Sequence, residues 1–491
     1  MRAHRQRTIA ALVTAAVATP LLLTATPAVA HDRSAGDGGR LASRLVEAAS
    51  GKSAYRHLVK FQQIADAHGG NRAAGTAGYD ASAAYVHGLL KKAGYKVSYQ
   101  DFTIYEAQTK KEKTTVLGTP ARTLETAAFT FTPSTPKGGL TAPLALARVD
   151  DTPGCDAADY PAGAFKGKIA LVKRGTCTFV EKQRAAAAAG ALGVIVFNHS
   201  GTTPVHGGFS APSEGLIPSA GISLADGEAL TAAVAKGEVK VKLELDQKHV
   251  QRATRNVIAE TRGGRADRVV ALGSHLDSVK EGPGINDNGT GSAGLLEVAL
   301  KLAEQTRKTG EQPANKVRFA WWSAEELGLL GSEHYVSKLT AKQKKNIALY
   351  LNFDMIGSPN AAQFVYDGDD SDKTGEGAGP AGSAQIERLI NRFLDKRGKA
   401  HEGSDFDGRS DYGPFIANGI PAGGTFTGAE GIKTPEQAAR YGGKAGVAYD
   451  PNYHGAGDTL KNIDRKFFDT NVDVIAHAVG TYAQDLRSLK G

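Results

Sequence analysis

The stretch "RVVALGSHLDSVKEGPGINDNGTG", residues 268–291, decides how this chain reads. Its apolar run "RVVALG" predicts a buried strand, which ends in His275 and Asp277. A loop rich in Gly, Pro and Asn then delivers Asp287. Behind it, "GSAGLLEVALKLAEQTRK" has the apolar spacing of a helix. Strand, loop and helix make the unit of a parallel sheet, and such sheets bind ligands beyond the carboxyl ends of their strands. Unpaired charges buried there are costly, so a partner for them is expected.

The same unit recurs downstream. "KVRFAWWSA" and "IALYLNFDMIG" predict strands; "ELGLLGSEHYVSKL", "SAQIERLINRFLDKRG" and "FFDTNVDVIAHAVGTYAQDLRSL" predict helices. The alternation predicts an α/β fold, a mixed and mostly parallel sheet flanked by helices. Upstream, residues 54–93 carry two helical patterns, and "YKVSYQDFTIY" predicts a strand. Between them, residues 105–250 change character. They hold short β-like runs ("TFTPS", "PLALARV", "GKIALVKRG", "ALGVIVFNH", "AGISL", "VKVKLEL") and one helix around "TFVEKQRAAAAAGA". This predicts a small β-rich inserted domain, splitting the main domain into residues 53–104 and 251–491.

Residues 1–30 read as a secretory leader: Arg2, Arg5 and Arg7, an apolar stretch, then "AVA" before His31. Residues 31–52, polar and rich in Gly, Ser and Ala, are expected to be a flexible lead or short propeptide. The mature chain is therefore expected outside the cell, with no membrane partner. The formal charge of +8 falls by three with the leader, and no basic run interleaved with aromatics occurs, which argues against nucleic acid. The two cysteines, Cys155 and Cys177, read as one disulfide in an exported protein and are too few for a cysteine-based zinc site.

The ionisable residues at the predicted strand ends are His275, Asp277 and Asp287, then Glu325 and Glu326, then Asp354; Tyr453 and His454 lie in a late loop, "PNYHGAGD". Each has a plain structural reading. "SAEE" fits a capping box with Ser323 as N-cap, and "NDNG" fits a simple turn. Together they fit metal better. Mixed imidazole and carboxylate donors suit zinc, and two histidines with three carboxylates exceed one tetrahedral zinc with an open position. They fit two zincs sharing a carboxylate. Two Zn²⁺ against Asp287, Glu326 and Asp354 leave a net positive charge, which favours ionising a bound water. Glu325, adjacent to a ligand, is placed to carry that water's proton. Asp277 is expected to orient the His275 ring through its other nitrogen.

"HLDS", "GPGINDNGTG", "WWSAEELGLLGSEHYV", "NFDMIGSPN" and "NYHGAGDTLKNI" resemble the M28 zinc aminopeptidases, especially the secreted bacterial type; "GGNRAAGTAGYDASAAYV" and "GRSDYGPFIANGIPAGGTFTGAEGIKT" extend the likeness. The resemblance implies a zinc-exopeptidase fold. It implies His275 and Asp354 on one zinc, Glu326 and His454 on the other, and Asp287 bridging them. It further implies Glu325 as general base, Tyr453 as hydrogen-bond donor to the oxyanion, and Arg409 and Phe426 in the substrate pocket. Peptides with a free N-terminus, and large apolar first residues such as leucine, are the implied substrates. The insert resembles a protease-associated (PA) domain, which a Cys155–Cys177 bridge would fit and which sits beside the cleft in such enzymes. The chain departs from the family in three places. Asn288 follows the bridging position, where Asp is common. Asn452 and Gly457 stand where close relatives have cysteines, so the His454 loop is expected to be looser. Asp469 and Asp473 match two positions of a calcium site whose N-terminal partner has no clear match.

A monomer is expected. A metallo-carboxypeptidase would need basic residues to hold a C-terminal carboxylate, and only Arg409 lies near suitable motifs. A non-catalytic relative would lack ligands or base, and none is missing. No G-x-S-x-G or H-E-x-x-H occurs, which argues against a serine-hydrolase elbow or a thermolysin-type zinc site.

Overall fold

The computed structural model describes residues 30–213, 215–373 and 377–490. The leader expected over 1–30 lies outside the described residues, save Ala30. The chain opens with three helices, α1 (Ala30–Ala48), α2 (Gly51–Ala67) and α3 (Ala77–Ala93), before a long strand β1 (Lys96–Val116). Short strands β2 (Arg122–Leu124) and β3 (Ala127–Ala128) lead to β4 (Leu140–Leu146), β5 (Ile169–Lys173), α4 (Phe179–Ala188), β6 (Gly193–Phe197), β7 (Ser219–Ile222) and α5 (Leu224–Val234). A second long strand, β8 (Lys240–Glu260), returns to the main domain. There β9 (Arg265–His275), α6 (Gly291–Thr309), β10 (Asn315–Trp322), α7 (Leu330–Ser337), α8 (Ala341–Asn346) and β11 (Ile347–Phe353) follow. The remainder is β12 (Phe364–Tyr366), α9 (Ser383–Lys396), β13 (Glu402–Ser404), α10 (Gly413–Ile416), β14 (Ala422–Phe426), α11 (Pro435–Tyr441) and α12 (Arg465–Tyr482).

In the main domain the sheet order is β13-β12-β14-β11-β9-β10-β8, with β1 beyond β8. The four central strands β14, β11, β9 and β10 are parallel, and β12, β8 and β1 join antiparallel. Val270 and Leu272 on β9 and Leu349 and Leu351 on β11 are fully buried, as expected of strands covered on both faces. One layer is built by α1, α2, α3, α6, α9 and α12 around Leu58, Leu295, Ile390 and Val479. The opposite layer is thinner and aromatic, with Tyr350 stacked on Phe415 at 3.8 Å. Gly273 is required on this face. A Cβ there would fall 2.1 Å from Tyr350 Oη and 2.3 Å from Trp322 Nε1, which are hydrogen-bonded to each other.

Four expectations change. Residues 31–52 are not a flexible lead. They are largely helix α1, whose Leu41 and Leu45 are buried against α12. The composition misleads because the helix is held by close tertiary approach: a Cβ on Gly480 of α12 would lie 2.3 Å from Ala42 Cα. The limits of the insert, placed at 104/105 and 250/251, fall inside β1 and β8, which pair without a break from Lys96–Glu260 to Val116–Val241 apart from one irregularity at Thr109/Lys111. The insert itself pairs β4, β5, β6 and β7 in parallel and carries a second helix, α5, whose Ser223 caps Asp226 N. "TFTPS" is not a strand; Phe131 has φ +64°. Cys155 and Cys177 are disulfide-bonded.

Candidate active site

The carboxyl ends of the parallel strands open into a cavity of about 500 Å³. Because β9, β10 and β11 are in parallel register, with Trp322 opposite His275 and Asn352 opposite Gly273, the residues that follow each strand arrive at one level. His275 ends β9, Glu325 and Glu326 follow β10, and Asp354 follows β11. The loop between β9 and α6 adds Asp287, and the loop before α12 adds Tyr453 and His454. All seven of these residues line the cavity.

Asp287 sits at the centre. Its Oδ1 lies 3.2 Å from His275 Nε2 and its Oδ2 lies 3.2 Å from His454 Nε2. Each imidazole has a second acid: Asp354 Oδ1 is 3.3 Å from His275, and Glu326 Oε2 is 2.9 Å from His454. Glu325 Oε2 stands 3.9 Å from His275 Nε2. Donor atoms of His275, Asp287 and Glu326 lie within 4.8 Å of one another, as do those of His275, Glu325 and Asp354. Buried Glu326 Oε1 and Asp354 Oδ1 make no hydrogen bond. Orphaned acidic oxygens beside imidazoles are the donor set that a divalent cation satisfies, so these residues fit zinc.

The electrostatics say the same. Burial drives Glu325 well above the carboxylate range, and Asp354, Asp411 and Glu326 add to it against His275. Burial also raises Glu326, to about 8, with help from Asp287. Burial opposes a charge on Asp287, yet hydrogen bonds from His275 and His454 hold it below the usual range. For His454, burial disfavours the proton, but Asp287 and Glu326 outweigh it and lift the ring to about 10.

Asp277 lies against the other ring nitrogen of His275. His275 Nδ1 faces the main-chain carbonyl of Asp277 at 3.1 Å, while its carboxylate is 3.7 Å away. That carboxylate accepts instead from the backbone N–H groups of Glu325 (3.3 Å) and Glu326 (3.4 Å). The capping box does not form, and the helix expected from Glu326 starts at Leu330. Ala324 and Leu329 have φ of +59° and +61°, and Ser323 bonds Thr254 and Asn256. The turn frees both glutamates to face the cavity.

Arg409 and Phe426 also line the cavity. Arg409 pairs with Glu430 at 2.9 Å and donates to Tyr453 Oη at 3.4 Å. Tyr453 stacks on His454 with centroids 3.8 Å apart. Asn288 donates through Nδ2 to Phe353 O (3.0 Å) and accepts through Oδ1 from Gly291 N and Met355 N, so it ties the Asp287 loop to the Asp354 strand. An aspartate could not donate the first of these bonds. In the His454 loop Asn452 Nδ2 donates to Asn462 (2.7 Å), and Asn452 Oδ1 lies 2.0 Å from where a Cβ on Gly457 would be. Asp469 Oδ1 accepts from Gly51 N at 2.6 Å and Asp473 pairs with Arg397 at 2.9 Å, and neither joins a metal-ligating group among the described residues.

Sequence reasoning missed four residues beside the site. Ser410 donates to Asp354 Oδ2 at 2.6 Å. Asp411, buried, is pushed to about 7 by burial, against the pull of His275. Arg72 and Asp458 bind the loop that bears Asp287. All four lie within motifs quoted above, but their spacing alone names no partner.

Residues 256–479 match the model of peptidase family M28, and residues 140–230 match the PA domain. The chain is 45% identical over 438 residues to leucine aminopeptidase 2 of Arthroderma otae, covering 88% of this chain and 83% of that one. It is 46% identical over 433 residues to an aminopeptidase of Pseudomonas aeruginosa, covering 86% and 78%. The chain belongs to peptidase family M28. A zinc aminopeptidase from Bacillus subtilis, 28% identical, matches this M28 fold with a TM-score of 0.56 over 88% of this chain and 94% of its own. The M28 chain is thus a metallo-aminopeptidase, a hydrolase, with a PA domain inserted between β1 and β8.

Proposed function

We propose that this chain is a secreted dizinc aminopeptidase that removes large apolar N-terminal residues, leucine among them, from peptides. One observation carries the reading: the two oxygens of Asp287 face two different imidazoles, each with its own second carboxylate. His275 and Asp354 would hold one zinc, Glu326 and His454 the other, and Asp287 would be shared. Bound there, zinc supplies Lewis-acid polarisation of the scissile carbonyl and a water of lowered pKa.

The protein's own groups do the rest. Glu325, which lines the cavity 3.9 Å from His275, takes the proton of the attacking water and delivers it to the leaving amine. Tyr453, whose phenol burial keeps protonated, donates to the developing oxyanion. Glu325 and Asp354 attract the cationic α-amine, which selects the N-terminus. Leu329, Met355, Phe364, Phe426 and Tyr449 line the same cavity and suit an apolar first side chain. Relatives named leucine aminopeptidase support that preference. Arg409, the one Lys or Arg among the described lining residues, is already paired with Glu430, which disfavours a carboxypeptidase. Export rests on the N-terminal sequence; among the described residues no helix is long and apolar enough to cross a membrane.

The test is metal analysis with hydrolysis of leucine p-nitroanilide by the parent and Glu325→Gln. About two zincs per chain are expected in both, with a rate loss of at least about 10²-fold in the variant. N-acetylation of a dipeptide substrate should abolish turnover. Full activity of Glu325→Gln, or turnover of blocked substrate, would overturn the reading.

A further inference from the structure

The segment from Leu276 to Gly284 has no helix or strand to satisfy its main-chain polar groups, and the π-helical turn that follows, Ile285–Thr290, departs from helical φ/ψ at Asp287, yet both are largely buried. Such groups need partners. Two side chains from opposite ends of the sequence supply them. Arg72, fully buried in the link between α2 and α3, donates through Nε to Pro283 O (2.9 Å), through Nη2 to Gly284 O (2.5 Å) and through Nη1 to Leu276 O. Its own N–H donates to Ser278 Oγ at 2.9 Å. Phe61 packs against the guanidinium, 5.1 Å from its ring centre. Where the carbonyl contacts end, the amide contacts begin. Asp458 Oδ1 accepts from Asn286 N (2.7 Å), its Oδ2 from Asp287 N (3.0 Å), and its main-chain carbonyl from Ile285 N (3.2 Å).

We infer that Arg72 and Asp458 are positioning residues that clamp this loop from its two sides and preset the Asp287 carboxylate for both metal ions. The inference rests on the dizinc reading. Arg72 holds the carbonyl of the residue that follows His275, and Asp458 holds the amide of Asp287 itself, so the clamp fixes one donor of each cluster relative to the other. A planar fork is needed to reach three carbonyls at once, which a lysine cannot reproduce. Asp458 needs two acceptor oxygens, one for each amide, and an asparagine offers one. Neither side chain lies among the residues lining the cavity, so each acts through Asp287 rather than on substrate.

The experiment is zinc affinity of the metal-free full chain by chelator competition, beside its thermal midpoint, for the parent, Arg72→Lys and Asp458→Asn. Lys433→Met serves as control. Lys433 is also buried and also donates to two carbonyls, of Ala361 and Gly442, away from the loop. Arg72→Lys and Asp458→Asn should each weaken at least one zinc by about tenfold or more, and excess zinc should restore part of the lost kcat. Lys433→Met should lower the midpoint with zinc affinity unchanged. Zinc affinities within twofold of the parent in both loop variants would overturn the clamp, whatever their stability. If Arg72→Lys does not fold, Asp458→Asn, nearly isosteric, decides alone. A parent that binds no zinc pair would defeat the dizinc reading itself, a result distinct from failure of the clamp.

Discussion

Asp287 faces two imidazoles, one through each carboxylate oxygen. Burial disfavours a charge on His454, but its contacts with Asp287 and Glu326 outweigh it and lift the ring to about 10, which favours a proton there when no metal is bound. A ring nitrogen must lose that proton to ligate, so zinc uptake at neutral pH releases protons. Apparent zinc affinity should therefore fall as pH falls, and calorimetry in buffers of different ionisation enthalpy should show net proton release on binding. Release of none would mean that His454 is not a ligand. At this scale His275, Glu325, Glu326 and Asp354 were readable because each closes a buried apolar run and therefore needs a partner, whereas Asp287 and His454 stand in loops. The turn Ala324–Leu329 was not: its glutamates and leucines suit a helix, yet Ala324, Gly328 and Leu329 have positive φ, and Ser323 just before them is hydrogen-bonded to Thr254 and Asn256. The further contacts of the Asp277 carboxylate, to backbone amides 48 and 49 residues away, had no signal in the spacing.

Among the elements, α1 and α12 show how close approach overrides composition. Gly480 lets the helices touch, since a Cβ there would meet Ala42 Cα at 2.3 Å and Ala42 N at 2.5 Å, both backbone atoms that cannot rotate away. Gly480→Ala should lower stability by about 1–3 kcal/mol, read as a drop in the thermal midpoint. Gly88→Ala, on an exposed face of α3 with nothing within 4 Å, should be neutral or stabilising by up to about 1 kcal/mol. Equal effects would mean that α1 does not pack as described. The strands β9, β10 and β11 were legible because their burial on both faces leaves continuous apolar runs. α5 was overlooked although its Ser223 cap and Asp226 were there to read; α1 could not have been found, because what holds it lies over 400 residues away. The ribbon of β1 and β8 was split between two domains because its composition turns polar partway along, while its hydrogen-bond ladder does not.

For the whole molecule, the parallel register brings His275, Glu326 and Asp354 to one edge of the sheet, where two loops add Asp287 and His454. The sequence order of those donors, 275 to 454, is invisible in the site, where Asp287 lies between His275 and His454. The clamp by Arg72 and Asp458 belongs to this scale too, joining the N-terminal helices and the C-terminal loop to one buried segment. The most direct measurement of the central claim is anomalous scattering at the zinc edge from crystals of the full chain. Two peaks roughly 3.5–4 Å apart, both touching Asp287, one beside His275 and Asp354 and the other beside Glu326 and His454, are predicted. A single peak, or a pair of which only one reaches Asp287, would contradict the account.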